Sequence, residues 1–250
     1  MQGIPHFFIH SHSVEDEVSA ARFEKEALQI IDVQFQHHDA IVLTGGSGMF
    51  VDALCEGLDP IPASKELRDE LIRDAENDLN VLLSELKQKD PEYYRKVDRN
   101  NPARLIRAIE VIRLTGKTYS SQRKAMPVKR PFNIHRFVIE HEREKLYERI
   151  NLRVDLMMKD GLLDEVKRVL PFRQLTPLNT VGYKELFDYI DGKTTIDEAV
   201  ELMKRNSRRY AKRQLTWLRR HPEAQWIPFD TTDLMIQNIF SKLPNALKLE

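Results

Sequence analysis

With a single cysteine, Cys55, the chain cannot close an internal disulfide or build a cysteine-rich zinc site, which fits a reducing, cytoplasmic setting. Net charge is lacking too: 39 Lys and Arg balance 39 Asp and Glu, so any anionic partner must be held by a local patch. Long hydrophobic runs are missing, the longest being of the order of Ala40-Ile41-Val42-Leu43, far short of a bilayer span, and the polar start Met1-Gln2-Gly3 does not read as a signal peptide. Glycine is scarce, at nine residues, and neither an internal repeat nor a low-complexity tract is found. Repeat arrays, disulfide scaffolds, membrane spans and disordered tails are thereby excluded. What remains, 250 residues with 41% hydrophobic and 31% charged, is the composition of one large globular domain or of a core with a smaller second domain.

The pattern is helix-rich with a few short strands. Pro5 to Ile9 reads as a strand, followed by a helix from Ser19 whose apolar stripe runs Phe23, Ala27, Ile30, Ile31, Phe35. Ala40 to Leu43 reads as a buried strand that breaks at Thr44-Gly45-Gly46-Ser47-Gly48 before a helix from Met49 to Leu54, the strand–turn–helix of an α/β unit. Asp59-Pro60-Ile61-Pro62 is a linker, since its prolines cannot continue a helix. From Ser64 to about Lys124 the alternation disappears and amphipathic helices are expected at Lys65–Asp74, Asn80–Lys89 and Pro102–Leu114. Strand-like alternation returns at Ile134–Glu140, with helices at Arg143–Met158, Leu162–Leu170 and Gly182–Ile190. A capping box at Thr195 to Glu198 opens a long helix to about Arg220, and Gln225-Trp226-Ile227-Pro228 reads as a last strand. The expected organisation is an α/β core of residues 1–62 and 126–250 interrupted by an all-helical insertion, 63–125, with strands near Ile41, Phe137 and Trp226.

Three stretches could carry chemistry. The helix from Thr195 holds eight Lys or Arg between Leu202 and Pro222 and no acid. Val200, Met203, Tyr210 and Trp217 recur at heptad spacing as its expected buried stripe, leaving Arg205, Arg208, Lys212 and Arg219 on roughly the opposite face. Two readings stand: a solvated helix face, or a phosphate-binding one, to which the forked guanidinium donors are suited. The Gly45–Gly48 turn likewise has two, a tight turn using glycine for positive φ, or an anion site of helix N-terminal amides with the Ser47 hydroxyl as an added donor. Gly116-Lys117-Thr118 fails as a P-loop, because that motif needs a glycine five positions before Gly116, where Val111 stands. The eight histidines show no HExxH pattern and no partner cysteines, so they suggest no metal site.

Several of these segments, in order, resemble the tRNA dimethylallyltransferase (tRNA isopentenyltransferase) family. They are Gly45-Gly46-Ser47-Gly48-Met49-Phe50, Asn101 to Val111 (NPARLIRAIEV), Thr115-Gly116-Lys117, Arg149 to Asp155 (RINLRVD), Val181-Gly182-Tyr183-Lys184-Glu185 and Ala211 to Arg219 (AKRQLTWLR). The resemblance implies a nucleotide-binding P-loop-type α/β core of parallel strands with a helical insertion that grips the anticodon stem-loop. It implies transfer of a dimethylallyl group from dimethylallyl diphosphate to N6 of the adenosine 3′ of the anticodon, by a monomer with Mg2+ as cofactor. Carried over by residue, Ser47 and Arg208 are the catalytic, diphosphate-contacting groups, Ser47 standing where the family usually has threonine. Arg68, Arg104, Arg107, Val181, Gly182, Tyr183, Lys184, Lys212, Arg213, Gln214, Trp217 and Arg219 match tRNA-contacting positions, where cations suit backbone phosphates and flat side chains an extruded base. The family's opening GxxxxGK[ST] loop, which anchors phosphate and magnesium, and its Asp-Ser segment, whose aspartate takes the N6 proton, have no counterpart here. The core is therefore expected to be N-terminally truncated, with a catalytically inactive anticodon-arm binder as the alternative to a working transferase. A nucleotide kinase on a similar core needs the same loop and leaves the basic segments unexplained.

Overall fold

The computed structural model describes residues 3–123 and 127–244. The expected boundary at 125/126 therefore lies outside the described residues. In chain order the elements are α1 (Ala20–Gln34), α2 (Gly48–Glu56), α3 (Lys65–Lys89), α4 (Pro91–Lys96), α5 (Pro102–Thr115), α6 (Tyr119–Gln122), β1 (Phe137–Glu140), α7 (Arg143–Lys159), α8 (Leu162–Val169), α9 (Tyr183–Ile190), α10 (Ile196–Leu218), β2 (Gln225–Pro228) and α11 (Thr232–Lys242). They fall into two compact units, Met1–Leu54 with Phe132–Glu250, and Cys55–Pro131. Among the described residues no helix is long and apolar enough to cross a membrane.

Among the described residues, every regular element that lies within the unit of residues 55–131 is a helix, and no strand interrupts Lys65 to Leu114. Its helices begin where short polar side chains satisfy free N–H groups: Ser64 accepts from Leu67 N, Asp90 from Tyr93 N and Asn101 from Arg104 N. Pro102 stands at the first turn of α5, which spends no needed donor, and Gly116 closes that helix in the left-handed region at φ 66°. The gap expected between Asp74 and Asn80 is a kink inside α3, at Asp78, whose carboxylate accepts from Asn80 N at 2.9 Å. Leu71, Leu82 and Leu86 of α3 pack against Leu105 and Ile109 of α5, all fully buried.

One charge sits inside this apolar seam. The Glu110 carboxylate is fully buried, and its Oε1 accepts from Ser64 N at 2.9 Å and Arg68 Nη2 at 3.1 Å, while Oε2 accepts from Arg107 Nη1 at 2.7 Å. Arg107 also donates to the carbonyls of Pro62 and Ile61, at 2.9 and 3.1 Å, so the proline linker is tied to α5. A buried carboxylate is tolerable only when paired and hydrogen-bonded, and this one is both.

In the other unit β1 and β2 form a two-stranded parallel sheet with Val138 opposite Trp226 and Ile139 opposite Ile227. Beside this sheet, α7, α8, α9 and α10 bury Val154, Val166, Leu186, Phe187, Ala199 and Met203 in one cluster. Two expected strands are absent. Phe8 and His10 have φ of 63° and 53°, in the left-handed region that no strand adopts, which breaks Pro5–Ile9. Ala40–Leu43 has no ladder partner among the described residues, and Val42 stands 87% exposed rather than buried. The hydrophobic run is real, but a strand also requires a neighbour to pair with.

Replacing Glu110 by Gln removes the charge that two arginines and a helix N-terminus share. Urea unfolding followed by circular dichroism should register a loss of about 3 kcal/mol; an unchanged midpoint would show that the pair contributes nothing.

Candidate functional site

Helix α10 starts at a reciprocal capping box: Glu198 N donates to Thr195 Oγ1 at 3.2 Å, and Thr195 N to Glu198 Oε2 at 2.8 Å. Its first turns are anchored by Ala199 and Met203 in the helical core. A perfect heptad drifts about 20° per repeat on a straight helix, and the expected stripe does drift: Met203 is buried, whereas Tyr210 is 43% exposed. Two polar side chains continue the anchoring. Asn206 Nδ2 donates to Glu185 Oε1 of α9 at 2.7 Å, and Arg208 Nη1 donates to Asn151 Oδ1 of α7 at 2.5 Å. Arg208 is thus half-buried and held from behind rather than on a fully open face. Lys204 is spent on Asp155 and Glu201, so part of the basic run is structural.

Further along, α10 backs the glycine turn. Gln214 Nε2 donates to the Gly46 carbonyl at 2.8 Å, and the Tyr210 hydroxyl reaches the same oxygen at 3.4 Å. A Cβ on Gly46 would stand 2.0 Å from Gln214 Nε2, and one on Gly48 would stand 2.4 Å from Trp217 Cδ2. Neither glycine has positive φ; a side chain at Gly48 would meet the Trp217 ring, and one at Gly46 would displace the Gln214 amide from its carbonyl. Trp217 Nε1 donates to Asp52 Oδ2 at 2.7 Å, one turn into α2. Ser47, between the two contacts, is exposed at the mouth of α2, its carbonyl accepting from Phe50 N and Val51 N at 3.1 Å. Asp52 is the nearest carboxylate on α2, and its other oxygen faces His221 Nε2 at 3.3 Å and Arg136 Nη1 at 3.9 Å. With one oxygen bonded to an indole and the other facing a guanidinium, Asp52 by itself does not fit as a magnesium ligand.

The Val181–Lys184 segment forms the other wall. Gly182 has φ of 103°, and its N–H donates to Glu185 Oε2 at 2.7 Å, so the buried Glu185 ties this turn to Asn206 of α10. Lys184, Asn206, Arg209, Tyr210 and Arg213 line a cavity of about 370 Å³. Three cations face it, and its one acid, Glu185, is already bonded to Gly182 and Asn206. Arg213 lies over the Tyr210 ring at 5.5 Å and Arg219 over Trp226 at 5.9 Å, while Lys212 is exposed. Arg209 belongs to this cavity although no motif singled it out; the acid-free run that contains it was the only signal. In the unit of residues 55–131, Arg104 is exposed, whereas Arg68 and Arg107 serve the buried Glu110.

A family model described as IPP transferase matches residues 1–221. The tRNA dimethylallyltransferase 1 of Phocaeicola vulgatus is 45% identical over 240 residues, which are 95% of this chain and 80% of that protein. The solved full-length tRNA isopentenylpyrophosphate transferase of Bacillus halodurans matches with a TM-score of 0.66 and 33% identity, covering 96% of this chain and 78% of that one. A eukaryotic dimethylallyltransferase solved acting on tRNA shares the fold, with a TM-score of 0.76, 22% identity and coverage of 97% and 67%. Helices with a small parallel sheet, matched by these neighbours, agree with the expected α/β P-loop-type class. These matches take in nearly all of this chain and leave about a fifth of each of those two bacterial proteins uncovered.

Tyr183 supplies a pH test of the Val181–Lys184 wall. Burial, and then its hydrogen bond to Glu165, push its phenol up to about 12. The raised value favours the neutral form, so the contribution to stability is complete below pH 10 and is lost as pH rises through about 12. Ultraviolet titration should find one tyrosine ionising near that value, and Glu165→Gln should lower it only partway, since burial is the larger cause. A Tyr183 that titrates like the exposed tyrosines would contradict the packing.

Proposed function

The chain belongs to the tRNA dimethylallyltransferase family, the IPP transferases, and from that membership we propose how its own residues act. It is a tRNA-modifying prenyltransferase. The substrates in this reading are dimethylallyl diphosphate and the anticodon stem-loop, the acceptor being N6 of the adenosine 3′ of the anticodon. The working unit is a monomer and the compartment the cytoplasm, in keeping with the lone Cys55.

The adenine N6 lone pair attacks the allylic carbon, the carbon–oxygen bond to diphosphate breaks with its electron pair leaving on oxygen, and N6 gives up one proton to a base. Charge grows on the leaving diphosphate. Ser47, with a hydroxyl and the N–H groups at the mouth of α2, and Arg208, fixed by Asn151, are the donors suited to that charge. Lys184, Arg209 and Arg213 around the cavity, with Lys212, Arg219 and Arg104 on exposed faces, are suited to RNA phosphates. Val181, Gly182 and Tyr183 shape the wall on which Lys184 stands. Arg68 and Arg107, bound to Glu110, enter this reading through the shape of the helical unit and not as free cations. The observation that carries the proposal is that one helix both backs the glycine turn and brings unpaired cations to a cavity beside Lys184. Activity shared by the relatives favours transfer over the inactive-binder alternative.

Arg208→Ala should lower kcat at saturating substrates by roughly 10²–10³, the cost of losing one oxyanion-type donor. Lys212→Ala should weaken stem-loop binding and reduce its salt slope by about one. Transfer is read by mass spectrometry of the RNA and binding by mobility shift across salt. Wild-type turnover in Arg208→Ala would remove it from the leaving group, and binding without any transfer by the wild type would support the inactive binder.

A further inference from the structure

We infer that Gln214 is a positioning residue of the transfer turn and not an RNA contact, a role that rests on the reading of Ser47 given above. Gln214 and Trp217 lie in the segment whose resemblance implies contact with tRNA, yet both side chains point inward, to opposite ends of the turn. Tyr210, Gln214 and Trp217 are spaced i, i+4 and i+7 and so share one stripe of α10. The first two hold the Gly46 carbonyl, and the third packs on Gly48 and bonds to Asp52. Ser47 is the residue between.

The consequence follows from the planarity of the peptide bond. In a trans peptide the C=O of residue 46 and the N–H of residue 47 point in opposite directions across one rigid plane. With the Gly46 oxygen drawn onto Gln214 of α10, the Ser47 N–H faces away from that helix, toward the open side of the turn. Gln214 thereby fixes the direction of a donor that it does not touch. Tyr210, at 3.4 Å, is the weaker of the two grips, so the amide at 2.8 Å sets the orientation. The absent Cβ at Gly46 belongs to the same device, because the Gln214 amide occupies the space that a methyl would need.

Gln214→Met keeps the length and loses the donor, while Gly46→Ala drives the same amide off the carbonyl with no change to α10. Each should lower kcat by about tenfold to a hundredfold, the cost of a misaligned reacting group. Stem-loop affinity and its salt slope should stay at the wild-type value. The double variant should be no slower than the worse single one, since both remove one interaction. Hydrogen exchange of the turn peptide, read without any substrate, should quicken in both single variants. A weakened stem-loop affinity with unchanged kcat, additive losses in the double variant, or unchanged exchange of the turn would each overturn the role. Faster exchange in the variants together with no prenyl transfer by the wild type would leave the clamp standing and reject the transferase reading instead.

Discussion

The fit of the glycine turn against α10 is the constraint on which the rest of the candidate site depends. At Gly48 a methyl group would run into the Trp217 ring and at Gly46 into the Gln214 amide, so helix and turn touch through backbone on one side and Gln214 and Trp217 on the other. Such contact is possible only because α10 is itself immobilised upstream. Met203 is buried among α7, α8 and α9, and Asn206 reaches the buried Glu185, which in turn caps the N–H of Gly182. A shift of α10 would disturb the turn, the cavity wall and Arg208 together. Charge is then divided by direction along one helix: side chains that face inward are bonded, and Arg205, Arg209 and Lys212 face outward, exposed.

In the unit of residues 55–131 the governing charge lies in the core instead. Two arginines that resemble RNA-contacting groups converge on the Glu110 carboxylate, along with the first N–H of the segment leading into α3. Asp90 repeats the arrangement on a smaller scale, accepting from Tyr93 N, Ser120 N and Ser120 Oγ while only 1% exposed. Full satisfaction makes these buried acids specific rather than merely costly: each holds a helix start and a distant segment in one geometry.

What could be read in advance was whatever is local. The cap at Thr195, the break between Asp74 and Asn80 and the acid-free run of α10 are all carried by neighbours within a few residues. Contacts between distant positions could not be read that way. Gln214 and Gly46 are 168 residues apart, and Glu110 and Ser64 are 46 apart, so neither contact shows in the local pattern. Ala40–Leu43 misled for a related reason, since hydrophobicity and β-branching describe what a strand is made of and not whether an edge exists to receive it. The resemblance supplied the family and the reaction class, while the bonds of Gln214, Trp217, Arg68 and Arg107 within the protein became visible only in the structure.

The division of α10 into a bonded inner stripe and a free outer one can be tested by footprinting side chains with arginine- and lysine-directed reagents, with and without an anticodon stem-loop. Arg209, Lys212 and Arg213 should react in the free protein and become protected when RNA is added. Arg173, paired to Asp191 through both carboxylate oxygens at 2.8 Å, should react equally in the two states. If RNA binds and the reactivity of Arg209, Lys212 and Arg213 does not change, α10 is not the RNA-facing helix and the account is wrong.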